Sequence, residues 1–169
     1  MKSKDLARAA ILLAVALILG FLETLLPPIF PMLPYARIGL GNAAVLLALL
    51  WLGVPYAAVI LVLKCVVIGV FSGAPTMILY SLAGGVLSFT VMAVLLRIGA
   101  NGLPAISAAG GIMHNVGQIL VAMAITNVGG IAILLVYLSL FGAVAGGVIG
   151  VIVFFVDRAT QRVRKGESR

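Results

Sequence analysis

The sequence predicts an all-α polytopic membrane protein with six transmembrane helices, and three observations carry that expectation. Of the 169 residues, 64% are hydrophobic and only 9% charged, with a mean hydropathy of +1.32, whereas a soluble domain averages about 25% charged residues. Several apolar runs approach or exceed the ~20 residues needed to cross a bilayer. The basic residues gather where the positive-inside rule expects cytoplasmic flanks: Lys2, Lys4 and Arg8 before the first run, Arg97 between two runs, and Arg158, Arg162, Arg164, Lys165 and Arg169 in the tail.

Hydropathy read together with Pro, Gly and charge breaks gives Leu6–Leu26, Gly39–Leu52, Val54–Phe71, Met77–Arg97, Pro104–Asn127 and Gly129–Val156 within a single membrane domain, 1–169. The first segment reads as an uncleaved span rather than a signal peptide, because further apolar segments follow without a convincing cleavage site. The second and third almost touch at Gly53 and are short, so they read as one bent unit or as two tilted or partly broken helices. With both termini cytoplasmic, Arg97 falls on the cytoplasmic side after four crossings. "PPIFPMLPYARI" (Pro27 to Ile38) then lies outside, where four prolines disfavour helix and suggest a cap or re-entrant turn.

The formal net charge of +7 is distributed as flanks of spans, which argues against nucleic acid and for contact with membrane lipids. Cys65 is the only cysteine, which excludes an intrachain disulfide and a CxxC metal or redox site. One histidine and isolated carboxylates exclude a convincing metal set. No P-loop, nucleophile elbow or dinucleotide fingerprint is present, so neither a cofactor nor catalysis by this chain is expected.

Polar residues concentrate in the outer half. Glu23 closes the first span, Arg37 lies just beyond it, Asn42 opens the second, Lys64 sits in the third and Tyr80 near the start of the fourth. "AAGGIMHNVGQILVAM" places His114 and Gln118 four residues apart on one helix face, with Asn115 turned toward a neighbour. An ammonium in hydrocarbon costs at least about 2.5–3.5 kcal/mol, so Lys64 needs a protein or water environment. Three readings stay open for it: an ion pair with Glu23, attraction of an electron-rich substrate group, or snorkelling. His114 and Gln118 serve either interhelical hydrogen bonds or a ligand. Asn42 caps its helix or lines the cavity, and Tyr80 either packs or meets a ring. As candidates for substrate contact the set is Glu23, Arg37, Asn42, Lys64, Tyr80, His114 and Gln118.

Small residues supply close-packing faces. Gly142, Gly146 and Gly150 repeat every four residues in the last span, and Ala10 and Ala14, or Ala16 and Gly20, do so in the first. Packing within the chain and contact with a partner subunit are both open for them. Gly84–Gly85 and Gly110–Gly111 also suggest close packing.

"ARIGLGNAAVLLALLWLG", "SGAPTMILYSLAGGVLSF" and "GGIMHNVGQILVA" resemble the small membrane proteins called heptaprenyl diphosphate synthase component I or Gx transporters. That group is in turn similar to the S components of energy-coupling-factor (ECF) importers. The resemblance implies an S-component-like six-helix fold that takes a small vitamin-like, isoprenoid or quinone-related substrate from outside. It also implies association with an ECF transmembrane coupling subunit and two cytoplasmic ATPases, with Ala10 and Ala14 matching the AxxxA face that S components present to the coupling subunit. The expected function is therefore substrate capture for an ECF-type importer at the cell membrane. The alternative is a non-catalytic membrane accessory subunit of heptaprenyl diphosphate synthesis, because Asp5 and Asp157 stand alone where prenyltransferases need aspartate-rich magnesium sites. A self-contained secondary transporter is a third reading.

Overall fold

The computed structural model describes residues 3–26, 37–100 and 102–166, without the side chains of 164 and 165. The described residues form α1 (Ser3–Thr24), α2 (Asn42–Leu52), α3 (Val54–Phe71), α4 (Pro75–Arg97), α5 (Leu103–Thr126), a 3-10 turn (Gly129–Ile133) and α6 (Leu134–Gly166). All except α2 and the turn are long and apolar enough to cross a membrane. The chain is thus a multi-pass, all-α membrane bundle. Its outer surface carries large apolar side chains such as Ile11, Ile18, Val70, Leu140 and Phe155, as a surface solvated by lipid requires.

Helix ends follow local chemistry. Pro sits in the first turn of α3, α4 and α5, where its missing N–H would have been unpaired anyway. Asn127 ends α5 in the left-handed conformation, with φ 55°. The predicted third segment coincides with α3, set off from α2 by Gly53 at φ 84°. The last helix begins five residues later than the segment expected from Gly129, because the Gly129–Gly130 pair leads into the 3-10 turn. It then continues past Val156 to Gly166, since helix formation needs no apolar residues once the chain has left the bilayer.

Helices α1, α3, α4, α5 and α6 pack in that order, each against the next from α1·α3 to α5·α6. Helix α2 lies inside, touching α1, α3, α4 and α6, and buries Ala44 through Leu49 in one apolar core with Leu12, Ala16, Ile60 and Leu61. This explains its near-continuous hydrophobicity: a helix surrounded on all sides needs no polar face. Backbones meet closely at small residues. A Cβ at Gly117 would strike Ala83 and Gly84 of α4, and one at Gly111 would strike Gly142 of α6.

Gly142, Gly146 and Gly150, for which packing within the chain and contact with a partner subunit were both open, face α5 within the chain. A Cβ at each would run into Gly111, Ser107 and Pro104 respectively, so the stripe is occupied by the intramolecular contact that lets α5 and α6 approach. On α1 it is Ala16 and Gly20 that turn inward, while Ala10 and Ala14 are exposed.

The geometry of α2 settles its shortness. Eleven residues span about 16 Å. Gly41 lies beside the Ala16 carbonyl of α1, about 12 Å along the helix axis from Thr24. The chain therefore descends into the bundle as non-helical backbone over 37–41, and α2 continues from there toward Trp51, whose indole N–H donates to Asp157 on α6 at 2.8 Å. A short helix preceded by non-helical backbone matches the partly broken form, one of the readings of the short second segment.

Candidate functional site

Non-helical backbone inside a membrane has a specific chemical need. Each N–H that lacks a helical partner must find an acceptor in the protein, because lipid supplies none. The polar side chains gathered around 37–42 meet that need. Glu23, at the end of α1, accepts the Gly39 N–H at 2.6 Å through one carboxylate oxygen and the Leu40 N–H at 3.1 Å through the other. Gln118 of α5 accepts the Arg37 N–H through Oε1 at 3.1 Å. Gly39 stands at φ 87°, the region that favours glycine, and a Cβ there would also press on Asn42 and His114. Its carbonyl accepts the Asn42 N–H at 2.8 Å and thereby starts α2.

Side chains tie this turn to the remaining helices. The Lys64 ammonium, buried on α3, donates to Asn42 Oδ1 at 2.6 Å. Gln118, whose oxygen is already occupied, turns Nε2 toward His114 Nε2 at 3.0 Å. The Gln118 amide therefore donates and that ring nitrogen accepts. The other side of the ring, Nδ1, lies against Gly84, whose backbone hydrogen-bonds the imidazole, and 3.4 Å from Asn42 Nδ2. The Gly84 main chain accepts from Nδ1–H, so the ring accepts at Nε2 and donates at Nδ1 as the neutral tautomer, and the Asn42 amide nitrogen, itself a donor, is a contact there rather than a partner. Asn115, one position on, donates to the Leu138 carbonyl of α6, as its turned-away orientation predicts.

Arg37 closes the arrangement from the loop side, donating to the Gly20 carbonyl at 3.2 Å and resting on the Met77 sulfur.

Six of the seven predicted site residues thus converge: Glu23, Arg37, Asn42, Lys64, His114 and Gln118 form one network. Tyr80 lies in an apolar cluster with Ile119, Ala122 and Leu138. The Glu23–Lys64 ion pair considered from sequence is replaced by other bonds. Among the described residues the ion pair within 4.0 Å is Arg8–Asp5; the Glu23 oxygens accept main-chain amides and Lys64 donates to Asn42. The network borders a partly open pocket of about 30 Å³ lined by Glu23, Arg37, Lys64, Ser81 and His114, with Gly41 and Cys65 among its walls. Pockets for small organic ligands run to about 300 Å³ or more, so among the described residues the polar cluster holds the 37–41 stretch and leaves no space of that size at this site.

The contributions of Gly39, Gly41 and Ser81 are absent from the sequence-derived set. The first two were signalled by "GLGN", in which two glycines precede a helix start; nothing marks Ser81. Most of the cap or re-entrant turn expected over Pro27 to Ile38 lies outside the described residues. No group of three or more His, Cys, Asp or Glu that could hold a metal ion occurs among the described residues.

A family model described as heptaprenyl diphosphate synthase component I matches residues 12–156, a stretch that begins within α1 and ends within α6; the chain belongs to that family. No curated protein and no solved structure matches. The match overturns the main functional expectation. It assigns the chain to a synthase component family rather than to the substrate-binding components of ECF importers, so the transport function and the coupling-subunit and ATPase partners are withdrawn.

Proposed function

We propose, from membership of the heptaprenyl diphosphate synthase component I family, that this chain is the membrane-embedded, non-catalytic accessory subunit of a heptaprenyl diphosphate synthase, holding the catalytic component II at the bilayer where its apolar product is released. The family match across the whole bundle is the observation that carries this reading. The distribution of acid groups supports it: Asp5, Glu23, Asp157 and Glu167 are separated in sequence, Glu23 is committed to main-chain amides and Asp157 to Trp51 and Gln161. The aspartate pairs that would position magnesium on a diphosphate therefore belong to the partner.

In the same reading the bundle makes six crossings, counting 37–52 as one, with both termini cytoplasmic. This is the helix outline that S components imply, without their function. Lys4, Arg8, Arg97, Arg158 and Arg162 then present positive charge on the cytoplasmic side, where a soluble synthase carrying anionic substrates approaches. The polar network lies in the opposite half and acts as the clasp of the broken helix.

The test is gentle detergent purification of the tagged chain from cells that also express component II, followed by prenyl-chain synthesis by the captured material. Stoichiometric capture with heptaprenyl product, abolished by Arg158→Glu/Arg162→Glu, is the expected result. Purification of a folded chain that never retains component II, beside a component II fully active and membrane-bound without it, rejects the proposal.

A further inference from the structure

The cavity under the 37–41 stretch has a charge imbalance that its own side chains leave open. Arg37 and Lys64 bring two positive charges to its walls and Glu23 one negative charge. The Glu23 oxygens are occupied by the Gly39 and Leu40 amides. Lys64 is 6% exposed and carries three N–H donors, one of which is used by Asn42 among the described residues. Gly41 runs close beside the ammonium: a Cβ there would crowd the Ala16 carbonyl oxygen at 3.0 Å and Lys64 Nζ at 3.3 Å, so the missing side chain is what leaves that side of Lys64 uncovered. The Ser81 hydroxyl lines the same space.

We propose that this cavity is a binding site for one small inorganic anion of halide size, held by the Lys64 ammonium beneath Arg37 and Ser81. Size selects the occupant. About 30 Å³ accommodates one or two water-sized guests and therefore a monatomic anion, whereas a tetrahedral oxyanion needs the 37–41 turn to lift and the Glu23 hydrogen bonds to break. Charge selects its sign, because a single added negative charge balances the cluster in a setting where net charge is costly. A cation would meet an ammonium and a guanidinium, and the one carboxylate in the walls, Glu23, already accepts two main-chain amides. The site would make the clasp on α2 depend on the anion, since Lys64 holds Asn42 at the helix start. The inference rests on the cavity alone and stands apart from the synthase partnership.

The experiment is thermal unfolding of the purified full chain in detergent, titrated with sodium chloride or bromide at constant ionic strength against gluconate, with sulfate as a second control. A saturable rise of the midpoint with halide, absent with sulfate, is expected. Lys64→Gln keeps a partner for Asn42 and removes the excess charge, so its midpoint is expected to be unresponsive to halide without being lowered in gluconate. Chloride-35 line broadening on the unmodified protein, displaced by bromide, reads the same site without any variant. An identical midpoint in chloride and gluconate, an equal rise with sulfate, a halide response retained in Lys64→Gln, or no displaceable broadening overturns the proposal.

Discussion

Replacing Glu23 isolates the energetic role of the clasp. Glu23→Ala removes the acceptors of two amides, Gly39 at 2.6 Å and Leu40 at 3.1 Å, and lipid cannot replace them. A buried donor left without a partner costs about 1–3 kcal/mol, so the two together destabilise the bundle by about 2–6 kcal/mol. Glu23→Gln keeps one oxygen but turns an amide N–H₂ toward the second donor, and its cost is about half that range. Cys65 provides the assay. It is the only cysteine of the chain, is 2% exposed and lines the same cavity. Its alkylation by a small maleimide under native conditions therefore reports opening of this region. A destabilisation of about 3 kcal/mol accelerates alkylation roughly 150-fold where opening limits the reaction through its equilibrium. The order expected is Glu23→Ala fastest, Glu23→Gln intermediate, unmodified slowest. Equal protection of Cys65 in Glu23→Ala and the unmodified chain would refute the role assigned to this carboxylate.

Two further substitutions test neighbouring steps of the argument. Gln118→Leu preserves volume but strips the acceptor from the Arg37 N–H and the donor from His114 Nε2; a loss of about 2–4 kcal/mol is expected in denaturant titration, and a loss below about 0.5 kcal/mol contradicts the two hydrogen bonds assigned to Gln118. Gly142→Leu forces a side chain into the Gly111 backbone whereas Gly147→Leu meets nothing within 4 Å, so the former lowers stability by about 1–3 kcal/mol or more and the latter stays within about 0.5 kcal/mol; equal midpoints for the two would show that α5 and α6 do not pack through this stripe.

The spans were legible because their signals are local. Val54–Phe71 is bounded by Gly53, Pro55 and the Ser72–Gly73 turn, each of which acts on the backbone next to it. The end of α6 was not, because hydropathy marks where a helix leaves lipid and says nothing about where helical hydrogen bonding stops. The partner of each glycine face was equally hidden. Gly142, Gly146 and Gly150 state that some backbone comes close, and only the fold identifies that backbone as α5.

The polar network shows the same division at finer scale. Lys64, His114 and Gln118 stand out as polar groups in apolar helices, so their convergence was readable from depth alone. Their partners were not, because the natural search pairs side chain with side chain and therefore offers Glu23 to Lys64. The dominant demand instead came from main chain, which leaves no mark in a residue inventory: the amides of Arg37, Gly39 and Leu40 enter the bundle outside any helix and must be met there. The trace they do leave is indirect, as two glycines before Asn42 and a second segment too short to span. A membrane helix about half the required length, preceded by glycines and faced by a carboxylate and an amide from other helices, implies that those side chains complete its backbone before they serve any ligand. That priority also sets the order of events if a ligand larger than the cavity is ever taken up. The Glu23 and Gln118 bonds to the 37–41 stretch would have to exchange first, and the cost of breaking them would be subtracted from the affinity.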